Sequence, residues 1–293
     1  MDSGLFTSLP PGAARLIDSA LDEDLGTGDH TTSCLVRPGQ RGEAVVRARE
    51  GMVLSGVAVA AAVFHRVNPG LEVKVSHADG SRVQAGEDIM HIRGALRSIL
   101  TAERVALNFV GRLSGIATTT RRYVDAVQGL PVKIVDTRKT TPLHRSLEKE
   151  AVRAGGGYNH RFNLSDGILI KDNHIAAAGS VREAMRRARE GRPHHLLRVE
   201  IEVDTLDQLR DALEAGADVL LLDNFSVDML RAGVALVAGR ALTEASGGVT
   251  LDRIRTIAET GVDMISVGGL IHKARWMDVG LDVVGVGERT AAS

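Results

Sequence analysis

Five short apolar runs in the second half of the chain each stop on charged or glycine-rich residues. Lys133–Ile134–Val135 opens into Asp136–Thr137–Arg138–Lys139–Thr140–Thr141–Pro142, and Leu169–Ile170 runs into Lys171–Asp172–Asn173. Glu200–Ile201–Glu202–Val203–Asp204, Leu220–Leu221–Leu222–Asp223–Asn224 and Ile265–Ser266–Val267–Gly268–Gly269 repeat the pattern. A short apolar run bounded by turn signals is how a buried parallel strand reads. Glu202, Asp223, Glu244 and Ser266 follow one another at intervals of 21, 21 and 22 residues. That interval fits one strand, one helix and two short loops. Such a chain folds as an α/β barrel, and barrel chemistry gathers at the carboxyl ends of the strands.

The same spacing predicts helices over Leu206–Ala215, Val227–Val237 and Leu251–Thr260, with Ser226 and Thr250 as N-caps of the last two. Gly216 and Gly261 stand where helix C-caps belong. The first third reads differently. Leu16, Ile17, Ala20 and Leu21 are spaced for an amphipathic helix, and Asp22 to Thr32 reads as a polar, glycine-broken loop. Strands are expected at Glu43 to Arg49, Leu71 to Ser76 and around Ile89 to Arg93, with a helix from Val57 to Val67. Paired antiparallel, these make an α+β layer. Its hairpins also resemble a biotin or lipoyl carrier, but neither Asp79–Gly80 nor Ala85–Gly86 puts a lysine at a hairpin tip. A bridging helix over Thr101 to Arg112 is expected to break at Ser114–Gly115, with a second helix following to Gln128. The expected division is therefore 1–115 for the first domain, 116–274 for the barrel, and a tail, 275–293, that packs back on the first domain.

With 293 residues, 44% of them hydrophobic, the chain can build a large core or two ordinary ones. A net charge of −1 gives no global pull toward nucleic acid or a membrane surface, so anion binding must come from local clusters. The one cysteine, Cys34, excludes an internal disulfide framework and fits a reducing compartment. The longest near-apolar stretch, Met52 to Phe64, is too short to span a bilayer, and no signal peptide is visible. A soluble, cytoplasmic protein is expected.

Three groups of strand ends point to three ligand chemistries. The first is cationic: Arg138, Lys139, His160, Arg161 and Lys171. Guanidinium forks suit carboxylate or phosphate, and lysine acts as a point charge. The plainer alternative is a solvated face pairing with Glu148, Glu150 or Asp166. The second group is acidic: Glu202 and Asp223 could hold a divalent cation, bond sugar hydroxyls or stabilise developing positive charge, or could simply pair with Lys139 or Lys171. The third is glycine-rich: Glu244–Ala245–Ser246–Gly247–Gly248 and Ser266–Val267–Gly268–Gly269. Two glycine pairs in consecutive βα loops at a barrel's closing edge favour phosphate over simple tight turns. Gly285–Val286–Gly287 lacks the rest of a dinucleotide fingerprint, no Walker A sequence occurs, and the ten histidines show no metal-ligand spacing.

Asp136 to Pro142, Gly155–Gly156–Gly157 to His160–Arg161, Leu222–Asp223–Asn224 and Glu244 to Gly248 together resemble the quinolinate phosphoribosyltransferase family. Glu23–Asp24 to Gly28–Asp29, Glu103 to Asn108 and Ser114 to Thr118 extend the resemblance over nearly the whole chain. It implies an N-terminal α/β sandwich, an open, TIM-like α/β barrel, and a homodimer with sites between subunits, higher assembly being left open. It also implies conversion of quinolinate and phosphoribosyl pyrophosphate, with Mg2+, into nicotinate mononucleotide, pyrophosphate and carbon dioxide. By resemblance, Arg138, His160, Arg161 and Lys171 hold the quinolinate carboxylates beside Thr137, and Arg104 reaches the same ligand from the neighbouring subunit. Lys139, Glu202 and Asp223 face the ribose, the pyrophosphate and the metal. Ser246, Gly247, Gly248, Ser266, Gly268 and Gly269 take the 5′-phosphate. The rival readings are a sister phosphoribosyltransferase that uses nicotinate without decarboxylation, and a non-catalytic barrel that binds a phosphorylated metabolite.

Overall fold

A computed structural model of the chain describes residues 9–287; the outermost residues of the expected first domain and tail lie outside them. In chain order the elements are α1 (Ala13–Leu25), α2 (His30–Leu35), β1 (Arg41–Ala48), β2 (Met52–Val53), α3 (Val57–Val67), β3 (Glu72–Val75), β4 (Arg82–Val83), β5 (Asp88–Ala95) and α4 (Leu96–Ala126). There follow β6 (Lys133–Val135), α5 (Arg145–Ala154), β7 (Ile168–Ile170), α6 (Asp172–Ala178), α7 (Val181–Gly191), β8 (Val199–Val203) and α8 (Leu206–Glu214). The chain continues through β9 (Val219–Asp223), α9 (Val227–Val237), β10 (Leu242–Ser246), α10 (Ile254–Ala258), β11 (Met264–Ser266), α11 (Gly269–His272) and β12 (Val279–Gly287). They form two compact units. One holds residues up to 121, 140–156 and those from 273 onward; the other holds 122–139 and 157–272.

The second unit is the open α/β barrel. Its six strands are ordered β6-β11-β10-β9-β8-β7 and every pairing is parallel. Strands β7 to β11 are neighbours in sequence order, and β11 passes on to β6. The two strands consecutive in sequence, β6 and β7, therefore stand at opposite ends of the order, and the barrel opens between them. The strands are apolar because both faces are covered: Leu220 and Leu222 of β9 and Ile201 of β8 are fully buried. Thr205 and Ser226 cap α8 and α9 by accepting the N–H of Gln208 and Met229. Thr250 does not cap a helix with its side chain. Its carbonyl accepts from Arg253 and Ile254, and α10 is one short helix over Ile254–Ala258.

The first unit carries an antiparallel sheet, β12-β1-β5-β3, and a small β2-β4 pair. The tail supplies β12 as its edge strand. Helix α3 is buried along most of its length and is capped from outside by Asp79, whose carboxylate accepts the N–H groups of Gly56 and Val57 at 3.0 and 2.9 Å. The stretch read as a loop from Asp22 to Thr32 is mostly helical. Helix α1 runs to Leu25, and Asp29 caps α2 through the Thr32 N–H at 2.9 Å.

Helix α4 is a single helix of 31 residues, not two helices broken at Ser114–Gly115. A Cβ on Gly115 would sit 1.9 Å from the Arg275 carbonyl oxygen, and one on Gly111 would sit 2.9 Å from that of Met277. Met277 donates its N–H to the Gly111 carbonyl at 2.9 Å. These glycines let the segment before β12 lie directly on the helix backbone. Among the described residues no helix is long and apolar enough to cross a membrane. Gly115→Ala is expected to cost on the order of 2 kcal/mol by overpacking. The measurements are a denaturant midpoint and amide exchange of β12, which should quicken; unchanged values for both would refute the account.

Candidate active site

The cationic side of the barrel is assembled at its open edge. Asp136 follows β6 directly and is completely buried. Its carboxylate accepts from the Asn159 side-chain amide at 2.7 Å and from the His160 N–H at 2.8 Å. Tyr158 lies parallel to Val135, donating its N–H to the Ile134 carbonyl at 2.8 Å and accepting the Asp136 N–H at 3.1 Å. The segment leading to Arg161 is thus stapled to the strand that leads to Arg138. Burial first, then the charge of Arg138, lowers the hold of the Arg161 guanidinium on its proton, and Glu200 opposes both. Arg161 donates Nη1 to the Gly167 carbonyl at 3.0 Å, while its Nε is buried with no hydrogen-bond partner. A guanidinium with a buried donor to spare, within reach of the charge of a second, suits an anion.

His160 stands directly before Arg161 in this segment. Its Nδ1 accepts the backbone N–H of Arg161 at 2.8 Å. Its Nε2 lies 3.1 Å from Glu200 Oε2 and 3.6 Å from Glu244 Oε2. Both ring nitrogens therefore have protein neighbours. Glu244 was read as a strand end, but it lies inside β10, opposite Leu221 and Met264; Ser246 is the residue level with Asp223. Glu200 and Glu244 are 8% and 1% exposed, and one carboxylate oxygen of each is buried without a hydrogen-bond partner.

One ring nitrogen of His160 and one carboxylate oxygen each of Glu200 and Glu244 lie within 4.8 Å of one another, as in a cation site. The tautomer speaks against that use. An Nδ1 that accepts an N–H carries no proton, so the ring proton sits on Nε2 and leaves no lone pair there for a metal. The cluster instead holds a proton. Burial, then the charge of Glu200, pushes Glu244 from an ordinary value of 4.5 up to about 7.

The acidic and glycine-rich groups meet on the neighbouring strands. Lys171 forms an ion pair with Glu202, and its N–H donates to His174 Nδ1 at 2.9 Å. Asn224, at φ 55°, donates its side-chain amide to Asp223 Oδ2 at 2.6 Å and its N–H to the Ser246 carbonyl at 3.0 Å. Gly247 follows at φ 89°, and a Cβ there would lie 2.2 Å from Asn224 Oδ1. Gly248 is also left-handed, at φ 57°. A Cβ on Gly268 would lie 3.1 Å from Lys139 Cδ, so this glycine makes room for the lysine. Thr137 turns inward along its own loop, its hydroxyl accepting the Lys139 N–H at 3.1 Å. Ser266 ends β11 and is buried, and Gly269 begins α11. Arg104 belongs to the other unit, exposed on α4.

Asp136, Glu200, Glu244 and Asn224 received no site role from sequence reading. For Asp136 and Asn224 the signal was position, since each is a polar residue at or just past the end of a buried strand. Glu200 and Glu244 stand two residues before Glu202 and Ser246, on the same side of their strands.

An acid raised to about 7 keeps its proton in the fold after the unfolded chain has lost it. Stability is therefore lost as pH rises from about 4.5 to about 7 and levels off above, the full difference being on the order of 3 kcal/mol. Glu244→Gln does not titrate, so its stability relative to the parent chain should improve between pH 5 and pH 8. Urea unfolding of both proteins at the two pH values checks this, and a constant difference would contradict it.

Residues 29–114 match the family model described as quinolinate phosphoribosyl transferase, N-terminal domain, and residues 116–282 match that of the C-terminal domain. The chain is 45% identical over 278 residues to the nicotinate-nucleotide pyrophosphorylase [carboxylating] of Mycobacterium leprae, covering 92% of this chain and 97% of the relative. It is 44% identical over 269 residues to the probable nicotinate-nucleotide pyrophosphorylase [carboxylating] of Bacillus subtilis, covering 92% of each. The crystal structure of NadC from Streptococcus pyogenes superposes with a TM-score of 0.90 at 40% identity, over 94% of this chain and 99% of that one. With both domains matched and relatives similar over nearly their full length, the chain belongs to the quinolinate phosphoribosyltransferase family.

Proposed function

We propose that the protein joins quinolinate to phosphoribosyl pyrophosphate and releases pyrophosphate and carbon dioxide, forming nicotinate mononucleotide for NAD biosynthesis. The observation that carries this reading is the pairing of Arg138 with Arg161, whose buried Nε has no partner within the protein. Two adjacent guanidiniums suit a ligand with two adjacent carboxylates. A monocarboxylate would leave the half-buried Arg161 guanidinium, already destabilised by burial and by the charge of Arg138, with one carboxylate fewer to offset it. Lys171 completes the cationic side. Its ion pair with Glu202 supports a position between the carboxylate region and the acidic centre.

The reaction then needs little covalent help from the protein. The C1–oxygen bond to pyrophosphate breaks and positive charge develops on the ribose, where Glu202 and Asp223 stabilise it. The pyridine nitrogen bonds to C1 and becomes cationic. That charge accepts the electron pair left when the adjacent carboxylate departs as carbon dioxide, and a proton then takes its place on the ring carbon. Lys139, resting over Gly268, meets the leaving pyrophosphate, and the glycine loops after β10 and β11 take the 5′-phosphate. Holding the two reactants in line can contribute on the order of 7–11 kcal/mol.

Glu202 and Asp223 suit Mg2+, which takes one or two carboxylates and keeps much of its water. Each has one oxygen bound by a neighbour, Lys171 or Asn224, leaving the other to face a cation. When bound, the ion would neutralise pyrophosphate charge. We place the protein in the cytoplasm, where its one cysteine, exposed Cys34, meets a reducing solvent.

Carbon dioxide release from quinolinate should depend strictly on phosphoribosyl pyrophosphate and Mg2+, each omitted in turn. Turnover of nicotinate but not quinolinate would favour the sister activity, and tight binding without pyrophosphate formation would favour a sensor. We further propose a homodimer in which exposed Arg104 reaches the partner's site. Arg104→Ala and Lys139→Ala chains, each inactive alone, should then regain up to about a quarter of parental activity when mixed and allowed to exchange subunits, as random pairing restores one intact site in half of the dimers. No recovery in a sample shown to contain mixed dimers would exclude a shared site.

A further inference from the structure

The buried cluster beneath the arginines does work that neither the strand-end pattern nor the reaction scheme explains. Glu200 accepts the proton of His160 Nε2 at 3.1 Å, and His160 Nδ1 accepts the Arg161 N–H at 2.8 Å. Glu200 also acts on Arg161 directly, as the negative charge that opposes burial and Arg138. A half-buried imidazole with both nitrogens engaged is held in one tautomer and one orientation. The backbone of Arg161 is bonded to that ring, so its position follows the ring. We propose that Glu200 is a positioning residue for the dicarboxylate subsite, acting through His160 to fix Arg161 opposite Arg138. This rests on the reading that Arg161 binds quinolinate.

The alternatives are weaker on the same geometry. A cation held by His160, Glu200 and Glu244 requires a bare Nε2, and the Arg161 N–H on Nδ1 denies it. A purely structural ion pair would have no reason to select between the two substrates.

Steady-state kinetics with each substrate varied separately, together with nitrogen NMR of the His160 ring, tests the proposal. Glu200→Leu removes the acceptor but keeps an apolar filling. It should raise KM for quinolinate about tenfold, as expected for one lost charge-assisted hydrogen bond, and leave KM for phosphoribosyl pyrophosphate within about twofold. Glu200→Gln, whose carbonyl can still accept from Nε2–H, should recover most of the quinolinate affinity. Equal rises in both KM values, a fall in kcat alone, or no change in any of them would overturn the proposal. In the parent protein the His160 ring, identified by its loss in His160→Asn, should carry its proton on Nε2. A ring protonated on Nδ1, with or without added Mn2+, would overturn it too. A parent protein that binds neither substrate would instead count against the function proposed above, while the NMR result would still decide the hydrogen-bond chain.

Discussion

The carboxylate of Asp136 is the joint from which the cationic side of the site hangs. A barrel that fails to close leaves a strand edge with unpaired backbone groups, and such an edge needs a partner. Here the edge of β6 is met by Tyr158, and Asp136 locks the meeting by accepting from Asn159 and His160. A fully buried carboxylate is tolerated because its oxygens are matched by donors. The result is two arginines brought to one place from stretches of chain more than twenty residues apart. The opening in the sheet is thus the feature that lets a loop carrying Arg161 lie beside a strand carrying Arg138.

Collecting like charges has a cost, and the structure shows where it falls. Burial first, then the charge of Arg138, weakens the hold of Arg161 on its proton; burial first, then the charge of Glu200, raises Glu244 to about 7. Glu200 acts on both: it repels Glu244 and attracts Arg161. A neutral Glu244 removes one charge from the interior and leaves Glu200 as the counterion of Arg161. Protonation of Glu244 therefore relieves its burial and its repulsion with Glu200.

Much of this was legible in the sequence. Abrupt polar ends to apolar runs, repeating at near-equal intervals, located the parallel strands. The ends of β8, β9 and β11 carry Glu202, Asp223 and Ser266 as that pattern required. What escaped was any residue whose role depends on a partner far along the chain. Glu244 looked like a strand end because the interval to Asp223 was regular, yet the strand continues to Ser246. Gly115 looked like a helix breaker because a glycine's conformational freedom is visible in sequence. Its actual use, a close approach by Arg275, lies 160 residues away. His160 looked like one more cation among several, and only its two hydrogen-bonding neighbours reveal an inward-facing ring.

Asn224 shows how the same limit applies to the glycine-rich turn after β10. A left-handed asparagine after a buried strand reads as an ordinary turn residue. In the fold it bonds the Asp223 carboxylate with its side chain and the Ser246 carbonyl with its backbone, and its oxygen fills the space a Gly247 side chain would need. The glycine at 247 is therefore required twice, by its φ of 89° and by Asn224. Asp223 and the Ser246–Gly248 turn are consequently not independent elements. A shift of the Ser246–Gly248 turn must move Asn224, and with it the Asp223 carboxylate, so the two neighbouring strand ends are mechanically tied.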